Sequence, residues 1–259
     1  MRVPRVSAGR IALFCFVLHA LPGDVGGQQV RDTVQLEELV ATATRVPLSL
    51  ESLTAAVTVI SGDELRDRGV RFVSDVLRDL PGATVVPVGS FGGVTSLFLR
   101  GGESDYVKVM VDGTAINLPG GSFNFANLTT DNVDRIEVVR GPASVLYGSD
   151  AVTGVVQIFT KQGRDGVTVE ASGTKGTFGS TTFGTSVLGA HGEGRVAYSL
   201  SASRFSTNGT GPFNSDYANT VVSGTVRATI DQQTTASLVV RHDDNTVHFP
   251  TDVSGVASD

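Results

Sequence analysis

Residues 133–161, VDRIEVVRGPASVLYGSDAVTGVVQIFTK, decide how this chain is read. Ile136 to Val139 is mostly β-branched and short, which suits a buried strand. Arg140-Gly141-Pro142 breaks the run, and Pro142 fits the first position of a helix, where no N–H is needed. Ala143 to Tyr147 then makes about one turn, with Gly148 available as a left-handed cap. Gly154 to Thr160 returns as a second apolar strand. Beside this scaffold stand Arg135, Arg140 and Glu137. The stretch contains no nucleophile constellation, metal cage or phosphate loop.

Outward from it, composition narrows the choice. The chain has 259 residues, a net charge of −6, one Cys, no Trp and 31 Gly. A mildly acidic balance argues against nucleic acid as a partner, because phosphate binding needs clustered Lys and Arg. At the N-terminus, Arg2, Arg5 and Arg10 precede the apolar run Ile11–Leu21, and Val25-Gly26-Gly27 supplies small residues. The apolar run is too short to span a bilayer, so residues 1–27 are expected to be a cleaved signal peptide. Cys15 would leave with it, so the mature chain would have no disulfide or thiolate metal site.

Residues 28–53 form an extension with one β-prone patch, Glu38-Leu39-Val40-Ala41-Thr42-Ala43. A short edge strand and an extended peptide picked up by a partner through strand addition both fit it. Ala55 to Ile60 is a strand, and Ser61 with Glu64 fits a capping box ahead of a helix. Phe72, Val73, Val76, Leu77 and Leu80 recur at helical spacing, and Pro81-Gly82 ends the helix. Asp63, Glu64 and Asp67 read as a solvated helix face rather than acid/base groups. Strands follow at Ala83–Pro87, Thr95–Leu99 and Tyr106–Val111, with a tight turn at Asp112-Gly113 and a return over Thr114–Asn117. Two Gly-rich loops carry aromatic residues: Val88–Val94, with Ser90 and Phe91, and Leu118–Leu128, with Ser122, Phe123, Asn124 and Phe125. Such loops on a rigid sheet suit ligand contact, and ordinary turn chemistry fits the same residues.

Beyond Lys161 the pattern changes to long, clean alternation. Val196, Tyr198, Leu200 and Ala202 oppose Ala197, Ser199, Ser201 and Ser203. Val222, Gly224, Val226, Ala228 and Ile230 oppose Ser223, Thr225, Arg227, Thr229 and Asp231. Val167, Val169 and Ala171, and again Ala236, Leu238 and Val240, repeat the scheme. Strands of about ten residues with one apolar and one polar side mark a membrane β-barrel wall better than a soluble sandwich, whose strands are shorter and whose core residues are bulkier. Only about five such strands fit before Asp259, against eight or more in a closed barrel. An open sheet cannot sit in lipid with unpaired edges. The chain is therefore expected to be a fragment or a truncated gene product.

Four motifs carry a family resemblance: Asp75-Val-Leu-Arg-Asp-Leu-Pro-Gly82, Leu97-Phe-Leu-Arg-Gly101, Val109-Met-Val-Asp-Gly113, and Arg135 to Ala151 running on to Gly154–Lys161. Over residues 38–161 the chain resembles the N-terminal part of TonB-dependent outer-membrane receptors, most closely the cobalamin-receptor type. The resemblance implies an α+β plug domain, a small mixed sheet with short helices, over residues 54–161. It implies the first antiparallel strands of a transmembrane β-barrel, left incomplete, over residues 162–259. It implies TonB-dependent active transport of a scarce large solute across the bacterial outer membrane, cobalamin or a related corrinoid, with a ferric siderophore as the alternative. Glu38, Leu39, Val40, Ala41, Thr42 and Ala43 fall where the family has its Ton box, which reaches TonB of the TonB–ExbB–ExbD complex. Arg100 and Arg140, with Glu137 counted beside them, match positions implied to latch the plug to barrel carboxylates. Ser90, Phe91, Asn117, Leu118, Ser122, Phe123, Asn124 and Phe125 fall in loops implied to touch solute. The resemblance brings no catalytic residue and no cofactor. Calcium in extracellular loops is a family option, but Asp216, Asp243, Asp244 and Asp252 group too few oxygens for a site to be assigned.

Rival classes fare worse. Ser172-Gly-Thr-Lys175 has S-x-x-K spacing, but it lies in a strand-like stretch and lacks the S-D-N and K-T-G companions of acylating enzymes. A sensor of the same family would need a further periplasmic domain ahead of the box, which residues 28–37 are too short to form. A passive surface receptor or adhesin has no use for a Ton box.

Overall fold

The computed structural model describes residues 39–40, 48–49 and 56–249, apart from 119, 165, 193, 212, 213 and 232. The expected signal peptide, most of the extension, Glu38, Ala41, Thr42, Ala43 and Asp252 lie outside the described residues. Of the extension, the backbone of β1 (Leu39–Val40) pairs antiparallel with β2 (Leu48–Ser49).

The inner domain is a mixed sheet with short helices. It runs β3 (Ala56–Ser61), α1 (Gly62–Asp67), α2 (Val73–Leu77), β4 (Ala83–Pro87), β5 (Thr95–Leu99), β6 (Val107–Val111), β7 (Thr114–Ala115), β8 (Val133–Arg140), α3 (Ser144–Tyr147) and β9 (Gly154–Thr160). The sheet order is β3-β8-β9-β6-β7, with β6 and β9 parallel and the other pairs antiparallel. β4 and β5 form a separate hairpin. The opening stretch thus supplies the two central strands. Ile136 and Val138 are fully buried, as are Val155 and Val156, because the sheet is covered on both faces. One face packs Leu65, Val73, Val76, Leu77, Leu97 and Phe125. The other packs Met110, Val139, Ala143, Ala151 and Val155.

Local chemistry sets several boundaries. Ser61 Oγ accepts from the Glu64 N–H at 3.1 Å, the forward half of the capping box. The Glu64 carboxylate does not reach back, because the Arg68 guanidinium donates to it at 3.0 Å. The single helix expected after Ser61 is two, broken at Gly69, whose φ of 64° ends α1, and at Phe72, which bridges to Thr129. Pro142 precedes the α3 cap residue Ala143 instead of sitting inside the helix. Gly148 has the expected positive φ of 89°, but its ψ of −174° takes it out of the left-handed helical region into one open to glycine. Asp112 and Gly113, at φ 45° and 84°, make the predicted tight turn.

The second half is one antiparallel sheet in chain order, the wall: β10 (Gly166–Lys175), β11 (Thr181–His191), β12 (Val196–Thr207), β13 (Tyr217–Thr229) and β14 (Thr235–Val247). Its alternation runs opposite to that of a soluble sheet. On the face against the inner domain Ser199, Ser201, Ser203, Ser223 and Thr225 are all buried. On the outer face Leu200 is 58% exposed, Val222 51%, Leu238 64% and Val167 67%. Polar-in and apolar-out is the arrangement a bilayer selects. Connections 192–195 and 230–234 join the strands at one end, and 176–180 and the longest loop, 208–216, join them at the other. Among the described residues no helix is long and apolar enough to cross a membrane, which leaves crossing by strands open.

Candidate functional site

The inner domain is seated on the wall through polar side chains, most of them from the segment just before β8. Tyr217 donates its hydroxyl to Asn127 at 2.7 Å, and Arg241 donates to Thr129 at 2.7 Å. Ser203 donates to the Asp131 carboxylate at 2.7 Å. Asn132, only 7% exposed, donates to Ser199 and Ser223 at 3.1 and 3.4 Å. At the end of β9, Thr160 meets Thr225 at 3.0 Å, and Lys161 bonds Glu170 at 2.6 Å. Burying a hydroxyl or amide is costly unless it is paired, and Ser199, Ser203, Ser223 and Thr225 are paired by side chains of the inner domain. Of these residues, the sequence places Ser199, Ser203, Ser223 and Thr225 on the polar side of their strands and Thr160 and Lys161 at a strand end, but marks none as a seat. Asn127–Asn132 reads locally as turn composition, and nothing in a turn pattern says what lies across from it.

Between this seat and strands β10–β12 lies a cavity of about 430 Å³, with Arg71, Asp131, Asn132, Lys161 and Glu170 among its lining. Arg71 is largely buried, and burial pulls its pKa below the ordinary arginine value, opposed by the Asp131 charge. Its guanidinium sits over the Phe205 ring at 5.1 Å. Phe205 belongs to a cluster with Phe72, Phe91 and Tyr217, joining the inner domain to the wall at the long-loop end. Gly92, at φ +80°, is required there, since a Cβ would run into Tyr217 and Val247.

The residues expected to latch the two parts are placed differently. Arg140 donates to the Pro81 carbonyl and to Thr58 Oγ1, both at 2.9 Å and both within the inner domain. Arg100 is exposed, with φ at 52°. Among the described residues neither forms an ion pair. Glu137 is fully buried and accepts from Arg135 Nε at 2.8 Å, so it belongs to the sheet interior. Arg135 also stacks on Phe159 at 3.7 Å.

The residues expected at the solute loops divide. Leu118 is 76% exposed, Ser122 is exposed, and Phe123 and Ser90 are half-buried. Phe91 is 38% exposed and stacks on Tyr217 at 6.1 Å, so the wall holds it. Asn117 extends the β6–β7 pairing, accepting from Val109 N–H at 2.6 Å and donating to Val107 O at 2.9 Å. Asn124 Oδ1 accepts from Thr95 and Ala126 N–H groups. Phe125 is 2% exposed, in the core. In this structure Asn117 and Phe125 hold the loop together from within, and Asn124 ties two backbone N–H groups while remaining exposed. No group of three or more His, Cys, Asp or Glu among the described residues is placed to hold a metal ion.

Comparison with known proteins agrees with this architecture. Residues 49–155 match the model of the TonB-dependent receptor plug domain. The chain is 38% identical over 132 residues to the vitamin B12 transporter BtuB of Vibrio vulnificus, a match covering 51% of this chain and 21% of that protein. It resembles the crystal structure of the Pseudomonas aeruginosa ferripyoverdine receptor bound to ferripyoverdine, with a TM-score of 0.68 at 20% identity, over 86% of this chain and 30% of the other. It also resembles the alcaligin outer-membrane receptor FauA of Bordetella pertussis, with a TM-score of 0.65 at 20% identity, over 80% and 35%. At such identities the two structures speak for the fold alone, and the matches span about a fifth to a third of those proteins' lengths. Over residues 49–155 the chain carries a plug domain like that of the TonB-dependent receptors.

Proposed function

We propose that the chain serves TonB-dependent active transport of a scarce large solute, cobalamin or a related corrinoid, across the bacterial outer membrane. The observation that carries this is a plug seated by polar side chains on a wall whose outward face is apolar. Such a wall suits lipid outside and a filled interior inside. The protein's work is passage of solute rather than catalysis. The likeness to a vitamin B12 transporter at 38% identity favours a corrinoid over a ferric siderophore.

In this scheme residues 1–27 direct export and are removed. Glu38–Ala43 act as the Ton box, and TonB of the TonB–ExbB–ExbD complex pairs with it by strand addition. Main-chain hydrogen bonds make a pullable link with little demand on sequence. Pairing of Leu39–Val40 with Leu48–Ser49 supports the strand competence of this stretch. Force on the plug then opens a path for solute.

The test is cobalamin uptake by cells carrying the full-length protein, with and without TonB, and with Leu39→Pro, which removes a ladder donor. Uptake is expected to need both TonB and Leu39. Uptake indifferent to both would refute the mechanism. Competition by ferric siderophores instead of cobalamin would keep the mechanism and change the substrate.

A further inference from the structure

At the long-loop end, two rings from the plug, Phe72 and Phe91, meet two from the wall, Phe205 and Tyr217. Phe205 lies 6.0 Å from each of the other three. Arg71 covers Phe205 at 5.1 Å. Arg71 and Phe72 are consecutive, and their backbone is tied to the seat. Thr130 N–H donates to Arg71 O at 2.9 Å, and Thr130 Oγ1 to Val70 O at 2.7 Å.

We propose that Arg71 is a positioning residue that links the loop around Phe91 to the seating of the plug on the wall at Asp131. Its Nε and Nη2 are buried without a hydrogen-bond partner. Nη2 stands 3.8 Å from Asp131 Oδ2, the oxygen that accepts from wall residue Ser203 at 2.7 Å. A buried guanidinium with unmade hydrogen bonds has two seats here, the aromatic face and the carboxylate. A hydrogen-bonded ion pair closes at about 2.8 Å, so the second seat is about 1 Å away. The first seat holds only while Phe205 is kept in place by its ring neighbours. Phe91, on the loop, is the most exposed ring of the cluster at 38%. Drawing Phe91 off the cluster loosens Phe205, and Arg71 moves onto Asp131, where it competes with Ser203 for one oxygen. Packed elements with two discrete arrangements are what carries coupling between sites.

The inference rests on the plug–wall reading above and on that loop facing solute, but its test needs neither solute nor TonB. Amide hydrogen exchange over 127–133 is measured in the full-length protein in detergent. Phe91→Ala is expected to speed exchange there roughly tenfold, the factor for losing one hydrogen bond to a charged group. Ser203→Ala should do the same, and Phe91→Ala should add nothing on top of it. In an Arg71→Gln background Phe91→Ala should have no effect. Arg71→Lys, which keeps charge without the planar fork, should also break the link and serves if the Gln variant does not fold. Leu118→Ala, outside the cluster, should leave exchange unchanged. Exchange unaffected by Phe91→Ala, or raised equally with and without Arg71, overturns the proposal. Uptake that fails to need TonB, with this cycle intact, removes the transport reading and leaves the coupling standing.

Discussion

Leu200→Arg tests which way the wall faces. Leu200 is 58% exposed on β12, opposite Val187 and Gly224. With a rise of about 3.4 Å per residue and a tilt of about 45°, each residue climbs about 2.4 Å along the membrane normal. Leu200 then lies about 10 Å from the Val196 end of β12 and about 17 Å from the Thr207 end, close to the middle of an apolar band about 25 Å tall. Arginine there should destabilise the lipid-inserted form by about 2–4 kcal/mol. Ile230→Arg, beside a short turn, should cost about 0–1 kcal/mol, because depth sets the penalty. Were the sheet a soluble one, both sites would be ordinary surface and each change would fall within about 0.5 kcal/mol. The assay is denaturant-induced unfolding of the full-length protein refolded into lipid vesicles. Equal, small costs at the two positions would refute the outward-facing assignment. Ser199→Ala, on the inner face, is the internal control: it should cost about 1 kcal/mol by removing one acceptor of Asn132.

Four further outcomes follow from the plug. Phe125→Ala should destabilise it by about 3–5 kcal/mol in urea unfolding, since the ring is buried. Leu118→Ala should change stability by under about 0.5 kcal/mol and weaken solute binding instead, seen in a titration. Gly154→Ala should cost about 1–3 kcal/mol in thermal unfolding, because the new Cβ meets the Val139 carbonyl and lies 2.7 Å from Leu99 Cδ1. The Lys108 ammonium, 2.9 Å away, and then the Ser149 hydroxyl hold the Asp150 carboxyl below its ordinary pKa. A depressed folded-state pKa contributes stability that is present above the unfolded value near 4 and is lost as pH falls through the folded value. Lys108→Met should therefore flatten the acid limb of the plug's stability profile below about pH 4 and leave its slope at neutral pH unchanged.

Much of the plug was legible because its signals are local. The β-branched runs at Ile136–Val139 and Gly154–Thr160, the Asp112-Gly113 turn and the Ser61 cap each act within a few residues, and each forms as expected. The break in the helix after Ser61 is not legible in the sequence, because apolar spacing does not register Gly69, where positive φ ends the turn. Arg140 was expected to face the wall, but Pro81 and Thr58 are near enough in space to take its guanidinium. Asn117 and Asn124 were expected to meet solute. Asparagine in a Gly-rich loop serves ligand contact and backbone capping with the same atoms, and only the positions of Val107, Val109 and Thr95 decide between them.

By itself the sequence determined that the strands after Lys161 have two unlike faces, because side chains alternate with a period of two. It did not determine which face is buried. That depends on what lies across from the sheet, and tertiary structure answers it: Asn132, Asp131 and Thr160 meet the Ser and Thr side, leaving Leu200, Val222 and Leu238 outward. The opening stretch shows the same division. Its strands and its turn follow from residues 133–161 alone. The burial of Glu137 beside the half-buried Arg135, which stacks on Phe159, and the link from Lys161 to Glu170 on the wall come from the pairing and packing of whole strands, which the residue pattern of the stretch does not show.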